Sequence, residues 1–117
     1  MNNRFPHHRL DAFGVARDAM VRGTAMANRL PRGYGPLADQ LRRALLSAYL
    51  QIAEAAARYG ADRIARFRVA RGEVCEAAAG VEAVSVLGLD TEQECNAELA
   101  LLDRLAAMLT RLAPRSL

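Results

Sequence analysis

Lysine and tryptophan are missing from this 117-residue chain, and aromatic residues make up only 5% of it. All 16 basic residues are therefore arginines. No segment approaches the ~18 consecutive apolar residues that a membrane-spanning helix needs, and the first ten residues have no apolar run typical of a secretory signal. We therefore expect a cytoplasmic protein, and the length and mixed composition predict one globular domain over residues 1–117.

Cysteine is also scarce: Cys75 and Cys95 are too few for a disulfide framework and form no CxxC pair. We expect both to be buried, reduced thiols that pack as small apolar side chains. A redox or nucleophilic role is the alternative, but no neighbouring histidine or pair of cations is present to activate either thiol. Because no nucleophile–base pair, carboxylate pair or metal-ligand cluster is evident either, the sequence predicts no catalytic site, cofactor or metal site.

Apolar residues recur at helical spacing in four segments, which predicts helices over about 11–29, 36–59, 61–87 and 91–112. Gly60 is predicted to end the second helix and Gly88 the third. Thr91 and Glu94 are predicted to form a capping box at the start of the fourth. Short connections between long helices favour an all-α, up-down-up-down four-helix bundle.

The apolar stripes of these helices predict the core. The second helix contributes Leu41, Leu45, Ala48, Ile52, Ala56 and Tyr59. The third contributes Phe67, Ala70, Val74, Ala77, Val81 and Val84. The fourth contributes Cys95, Leu99, Leu102, either Leu105 or Ala106, and Leu109.

Further apolar residues lie off these stripes, and a monomeric bundle would be expected to have a polar exterior there. We interpret them as a homo-oligomer interface; the alternative is a thick core whose helical phase differs from the one assumed. The predicted interface residues are Leu46, Leu50, Ala53, Ala57, Val69, Leu87, Leu101 and Met108.

Charge is distributed unevenly along the chain. Residues 1–71 hold 13 arginines against 5 acidic residues, whereas residues 72–117 hold 3 against 8. Because arginine matches phosphate geometry with two parallel hydrogen bonds, the arginines of the second and third helices are candidate nucleic-acid contacts: Arg42, Arg43, Arg58, Arg63, Arg66, Arg68 and Arg71. The alternative is that they are solvated or pair with the acidic residues of the third and fourth helices.

The segment from Leu30 to Leu89 resembles the four-helix-bundle proteins encoded in intervening sequences of bacterial 23S ribosomal RNA genes. The resemblance depends on the order of several short pieces, namely the run 34–44, Ser47, the run 52–54, Arg66-Phe67, Ala70-Arg71-Gly72 and Glu76. Where that family typically reads Asn-Ile-Ala-Glu-Gly, this chain has Gln51-Ile52-Ala53-Glu54-Ala55.

The resemblance implies a bundle that assembles into a homopentamer. A related group, the accessory variability determinants of diversity-generating retroelements, is also a basic pentameric bundle, and it binds nucleic acid and a reverse transcriptase. The resemblance therefore implies a non-enzymatic interaction module whose partners are RNA or DNA, a reverse transcriptase or another protein. The alternative is a structural or adaptor oligomer that binds only protein.

Overall fold

The computed structural model describes residues 4–114. After a short 3₁₀ helix (Pro6–Arg9) come α1 (Asp11–Arg29), α2 (Gly35–Ala56), α3 (Gly60–Val86) and α4 (Glu92–Leu112). Each helix packs against the next, and α1 also packs against α4. Residues 4–114 form no strand. None of the described helices combines the length and the hydropathy of a membrane-spanning segment. Over the described residues, the prediction of an all-α fold with four α-helices is confirmed.

Local sequence signals set most of the helix ends. Leu89 N–H donates to the carbonyl of Val84 and Gly88 N–H to that of Ser85, at 2.9 and 3.0 Å. With Gly88 at a φ of 67°, this is the glycine-terminated helix end that the sequence predicts for α3. Thr91 caps the start of α4, because its hydroxyl oxygen accepts the N–H of Glu94 at 3.1 Å.

Two predicted details of the helix ends are wrong. Thr91 N–H donates to Asp90 rather than to Glu94, so the reciprocal half of the capping box is absent, because the Glu94 carboxylate lies beside arginines of α1. Gly60 does not end α2. It is the first residue of α3, at a φ of 57°, and α2 ends at Ala56.

The buried core follows the predicted stripes closely. All six predicted residues of α3 are buried, and so are the predicted residues of α2 up to Ala56. Tyr59 is 89% exposed, because the early end of α2 carries it out of the helical stripe. On α4, Leu99 is only half-buried, and a different residue takes the inward position beside it.

That residue is Glu98, whose side chain is fully buried and is the one buried charged side chain among the described residues. It lies against α1 at Gly23, where an added Cβ would collide with a Glu98 carboxylate oxygen and with Leu45 of α2. Glycine at position 23 therefore makes the space that Glu98 and Leu45 occupy.

Replacing Gly23 with alanine is expected to lower the free energy of unfolding by about 1–2 kcal/mol, because the methyl group overpacks this contact. Gly72→Ala is the matched control: nothing lies within 4 Å of its Cβ position, so helix propensity raises stability there by up to about 1 kcal/mol. Urea unfolding of both variants measures the difference. Equal stability of the two variants would contradict this packing.

Glu98 is also expected to make stability depend on pH. Burial raises the pKa of its carboxyl from 4.5 to about 8, and the charge of Arg22 offsets this only in part. Below pH 4.5 both folded and unfolded chains hold the proton. Between these two values only the folded chain holds it, so stability falls as pH rises, by about 1.4 kcal/mol per pH unit, and levels off above the folded-state pKa.

Glu98→Gln replaces the titratable carboxyl with a neutral amide and serves as the reference. The difference in unfolding free energy between wild type and Glu98→Gln, measured at a series of pH values, should decline from about pH 5 to about pH 8. A difference that stays constant over that range would show that the carboxyl titrates normally in the folded protein.

Candidate nucleic-acid interface

Because the helices run antiparallel, most arginines of this chain lie towards one end of the bundle and most acidic residues towards the other. Cross-helix hydrogen bonds show which ends lie together: Arg68 donates to the Pro114 carbonyl at 2.9 Å, and Arg71 Nε donates to the Thr110 hydroxyl at 2.8 Å. At the opposite end, Arg29 bonds to Asp90 at 2.9 Å. We call residues 4–20, 46–72 and 103–114 the basic half, and residues 21–45 and 73–102 the acidic half.

The basic half holds ten arginines against five acidic residues, a formal charge of +5. Its arginines are Arg4, Arg9, Arg17, Arg58, Arg63, Arg66, Arg68, Arg71, Arg104 and Arg111. The acidic half holds five arginines against eight acidic residues, a formal charge of −3. The imbalance seen along the sequence thus becomes an imbalance between the two ends of the folded chain.

Two of the seven predicted contact residues, Arg42 and Arg43, lie in the acidic half and have partners there. Arg42 pairs with Asp39 at 2.9 Å and donates to Asn28 on α1. Arg43 donates to Gln40 at 2.8 Å and pairs with Glu76 on α3 at 3.3 Å. The structure therefore does not bring these two together with the other five.

Arg58 and Arg66 lie in the basic half but belong to a local ion-pair network. Arg58 pairs with Glu54 one turn before it and with Asp62 across the α2–α3 turn, and Arg66 lies 3.7 Å from Asp62. The hydrogen bond and charge of Glu54 raise the pKa of Arg58. Because two arginines meet two carboxylates, this network adds no net charge.

The excess positive charge near the α2–α3 turn comes from Arg63 and Arg71. Arg63 donates to the Ala56 carbonyl at 3.2 Å and lies over the Phe67 ring, 5.3 Å from its centroid. Arg71 is held by Thr110. Within residues 4–114, neither Arg63 nor Arg71 forms an ion pair with a carboxylate, so both guanidinium groups are positioned while their charges stay uncompensated.

Sequence reasoning missed three arginines that α1 and α4 add to the same half, namely Arg17, Arg104 and Arg111. Arg9, in the short 3₁₀ helix, and Arg111 line a surface cleft of about 340 Å³ between the start of α1 and the end of α4. Arg17 and Arg104 line a neighbouring cleft with His8. The signal was available, because an up-down bundle places the start of its first helix beside the end of its fourth.

The predicted oligomer-interface residues do not share one surface. Leu46 and Leu50 on α2 are 50% and 54% exposed, and Val69 on α3 is 47% exposed. The pairs Arg43–Glu76 and Arg58–Asp62 fix the register of α2 and α3, and helical spacing then places these three apolar residues on the same side between the two pairs. We call Leu46, Leu50 and Val69 the α2–α3 patch.

The other predicted interface residues differ in burial and place. Leu101 and Met108 are half-buried and pack against the core, as the thick-core alternative would have them. Leu87 is 53% exposed but lies at the far end of α3, in the acidic half. Ala53 is half-buried, and Ala57 is exposed just beyond the end of α2.

The cysteines match the prediction only in part. Both are free, and Cys95 is buried, but Cys75 is exposed. Burial raises the pKa of the Cys95 thiol, which keeps it protonated and unreactive. Cys75 borders a shallow groove of about 380 Å³ between α3 and α4, because its position falls one residue outside the buried stripe at Val74.

Within residues 4–114, no group of three or more His, Cys, Asp or Glu side chains lies together in a way that could hold a metal ion. No protein-family model matches the chain, and no curated protein matches it either. The family resemblance of residues 30–89 therefore remains an expectation.

Proposed function

We propose that this chain is a non-enzymatic, self-associating interaction module whose basic half binds the phosphate backbone of a nucleic acid. The observation that carries the proposal is the axial separation of charge, with ten arginines against five acidic residues in one half. Such a field attracts polyanions to one end of the molecule and repels them from the other.

The side chains of the basic half suit backbone contact better than base reading. Guanidinium groups bind phosphate oxygens in a bidentate manner, and hydrogen bonds to Ala56 and Thr110 orient those of Arg63 and Arg71. Exposed aromatic rings for base stacking are few in the described part of this half: Phe5 and Tyr59 are exposed, whereas Phe67 is fully buried. Binding is therefore expected to depend on charge and salt rather than on base sequence.

Removing two charges from each half in turn tests this assignment. Arg63→Gln combined with Arg71→Gln should weaken binding to a single-stranded RNA or DNA oligonucleotide by about tenfold at low salt. The slope of the logarithm of the binding constant against the logarithm of the salt concentration should become shallower by about 1.4. Arg42→Gln combined with Arg43→Gln is the matched control, with an equal change of net charge in the acidic half, and should leave affinity within about twofold. Fluorescence anisotropy between about 50 and 200 mM salt measures both quantities.

If the control lowers affinity as much as the Arg63 and Arg71 variant does, net charge rather than the basic half governs binding. If the wild-type protein does not bind RNA or DNA at low salt, the nucleic-acid proposal fails as a whole. The second candidate, an adaptor that binds only protein, is favoured by the ion pairs that already hold Arg42, Arg43, Arg58 and Arg66. If the chain is such an adaptor, we expect a protein partner, such as a reverse transcriptase, that stays bound after nuclease treatment.

Self-association is supported by the α2–α3 patch, an apolar centre between two groups of ion-paired side chains. That arrangement is typical of protein interfaces, which have an apolar centre and a polar rim. The expected assembly is the pentamer that the resemblance implies. A ring of five subunits would repeat the basic half five times and so raise its avidity for a long polyanion.

Leu50→Gln is expected to dissociate the oligomer without unfolding the helices, because the Leu50 side chain is already half exposed in the single chain. Val21→Gln is the control, since Val21 is 63% exposed on α1, away from the patch. Light scattering gives the mass, and circular dichroism confirms that helix content is retained. A wild-type monomer, or a Leu50→Gln variant that keeps the wild-type mass, would contradict this interface.

A further inference from the structure

In the described part of the bundle, Glu98 is a buried carboxyl group without a hydrogen-bond partner. Its side chain is fully buried, and neither carboxylate oxygen has a hydrogen-bond partner within residues 4–114. An ionised carboxylate without partners is strongly disfavoured in such a place, so the group has to hold a proton or recruit a cation.

The helices around Glu98 offer one cation. From α1, Gly23 and the preceding Arg22 approach it, and the charge of Arg22 acts on it. From α2 the neighbour is Leu45. The buried stripe of α3 is wholly apolar, and Glu73 and Glu76 of that helix interact with Arg43 of α2. On α4 itself, the titratable neighbours one turn before Glu98 are the buried thiol of Cys95 and the half-buried carboxylate of Glu94.

Arg22 is placed between the interior and the surface. Its Nη2 atom lies 3.3 Å from Oε2 of Glu94. Its Nε atom is buried and has no hydrogen-bond partner within the described residues. One end of the guanidinium is thus paired, while the N–H nearer the backbone is an unused donor, and the charge of Arg22 acts on the Glu98 carboxyl.

The two carboxylates that Arg22 can serve are one turn apart. Glu94 and Glu98 are four residues apart on α4, which puts them about 6 Å apart along the helix axis. Glu94 also has a second cation, since Arg29 lies 3.7 Å from it and is itself anchored to Asp90 at 2.9 Å. Glu94 therefore keeps a partner if Arg22 leaves it.

We propose that Arg22, Glu94 and Glu98 form a proton-linked switch, in which Arg22 pairs with Glu94 while Glu98 holds a proton and turns inward to Glu98 when that proton is lost to solvent. No other bond is made or broken. In the inward state the buried carboxylate gains a charged hydrogen-bond donor, and Arg29 alone holds Glu94. The ion pairs where α1 meets the start of α4 thus depend on whether Glu98 is protonated.

The burial that raises the pKa of Glu98 to about 8 puts this transition just above neutral pH. The switch is independent of the proposed nucleic-acid binding, because its residues lie in the acidic half. It acts instead on the junction of α1 with the α3–α4 connection, through the Arg29–Asp90 pair.

The test is an NMR titration of the wild-type protein that follows the Glu98 carboxyl carbon and the Arg22 Nε–H group from about pH 6 to pH 10, around the folded-state value. The Arg22 Nε–H resonance should shift with the same midpoint as the Glu98 carboxyl, and it should be pH-independent over that range in Glu98→Gln. An Arg22 resonance that stays constant through the Glu98 midpoint, or that still titrates in Glu98→Gln, would overturn the proposal.

A double-mutant cycle separates the switch from simple electrostatics. Arg22→Met should raise the midpoint of Glu98 by about one pH unit, whereas Arg17→Met, an exposed arginine on the same helix, should not move it. Glu94→Gln should lower the midpoint in the wild-type background by releasing Arg22, and should do so much less in the Arg22→Met background. Equal effects of Glu94→Gln in both backgrounds would show that Arg22 does not transmit them.

Discussion

Connections of a few residues force each helix of this chain to run back along the one before it. Pairs such as Arg68 with Pro114 and Arg29 with Asp90 then fix which ends meet. The charge separation and the surface position of the leucines both depend on this antiparallel register. In a parallel arrangement the arginines at the start of α3 would lie beside the acidic start of α4, and no basic half would exist.

The same packing brings α1, α2 and α4 together at Gly23, where the absence of a side chain admits Leu45 and the Glu98 carboxyl. A buried acid without a hydrogen-bond partner reduces stability compared with an apolar residue of similar size, so stabilisation of the core does not explain Glu98. Arg22 is the cation placed to compensate it, and Glu94 competes for that cation at the surface. Core packing and surface charge are therefore linked at this end of the bundle.

Much of the fold could be predicted from the sequence, because helical spacing and turn chemistry are local. The stripe from Phe67 to Val84 is buried as predicted. The predicted end of α2 at Gly60 is wrong because a glycine with positive φ can begin a helix as well as end one. The sequence does not predict the burial of Glu98 because a charged residue is normally expected at the surface, although positions 95, 98, 102, 105 and 109 keep the inward spacing. Which arginines have acidic partners depends on contacts between helices, and periodicity alone does not supply these.

An NMR titration of the labelled protein with a short RNA and then a short DNA at low salt, followed through the backbone amide shifts, tests the separation of charge most directly. We expect shifts concentrated in the basic half, in residues 58–72 and 103–114, with residues 35–45 and 90–98 unaffected. Shifts concentrated at the acidic end, or spread evenly over both halves, would contradict the claim that antiparallel packing gathers the arginines into one binding surface.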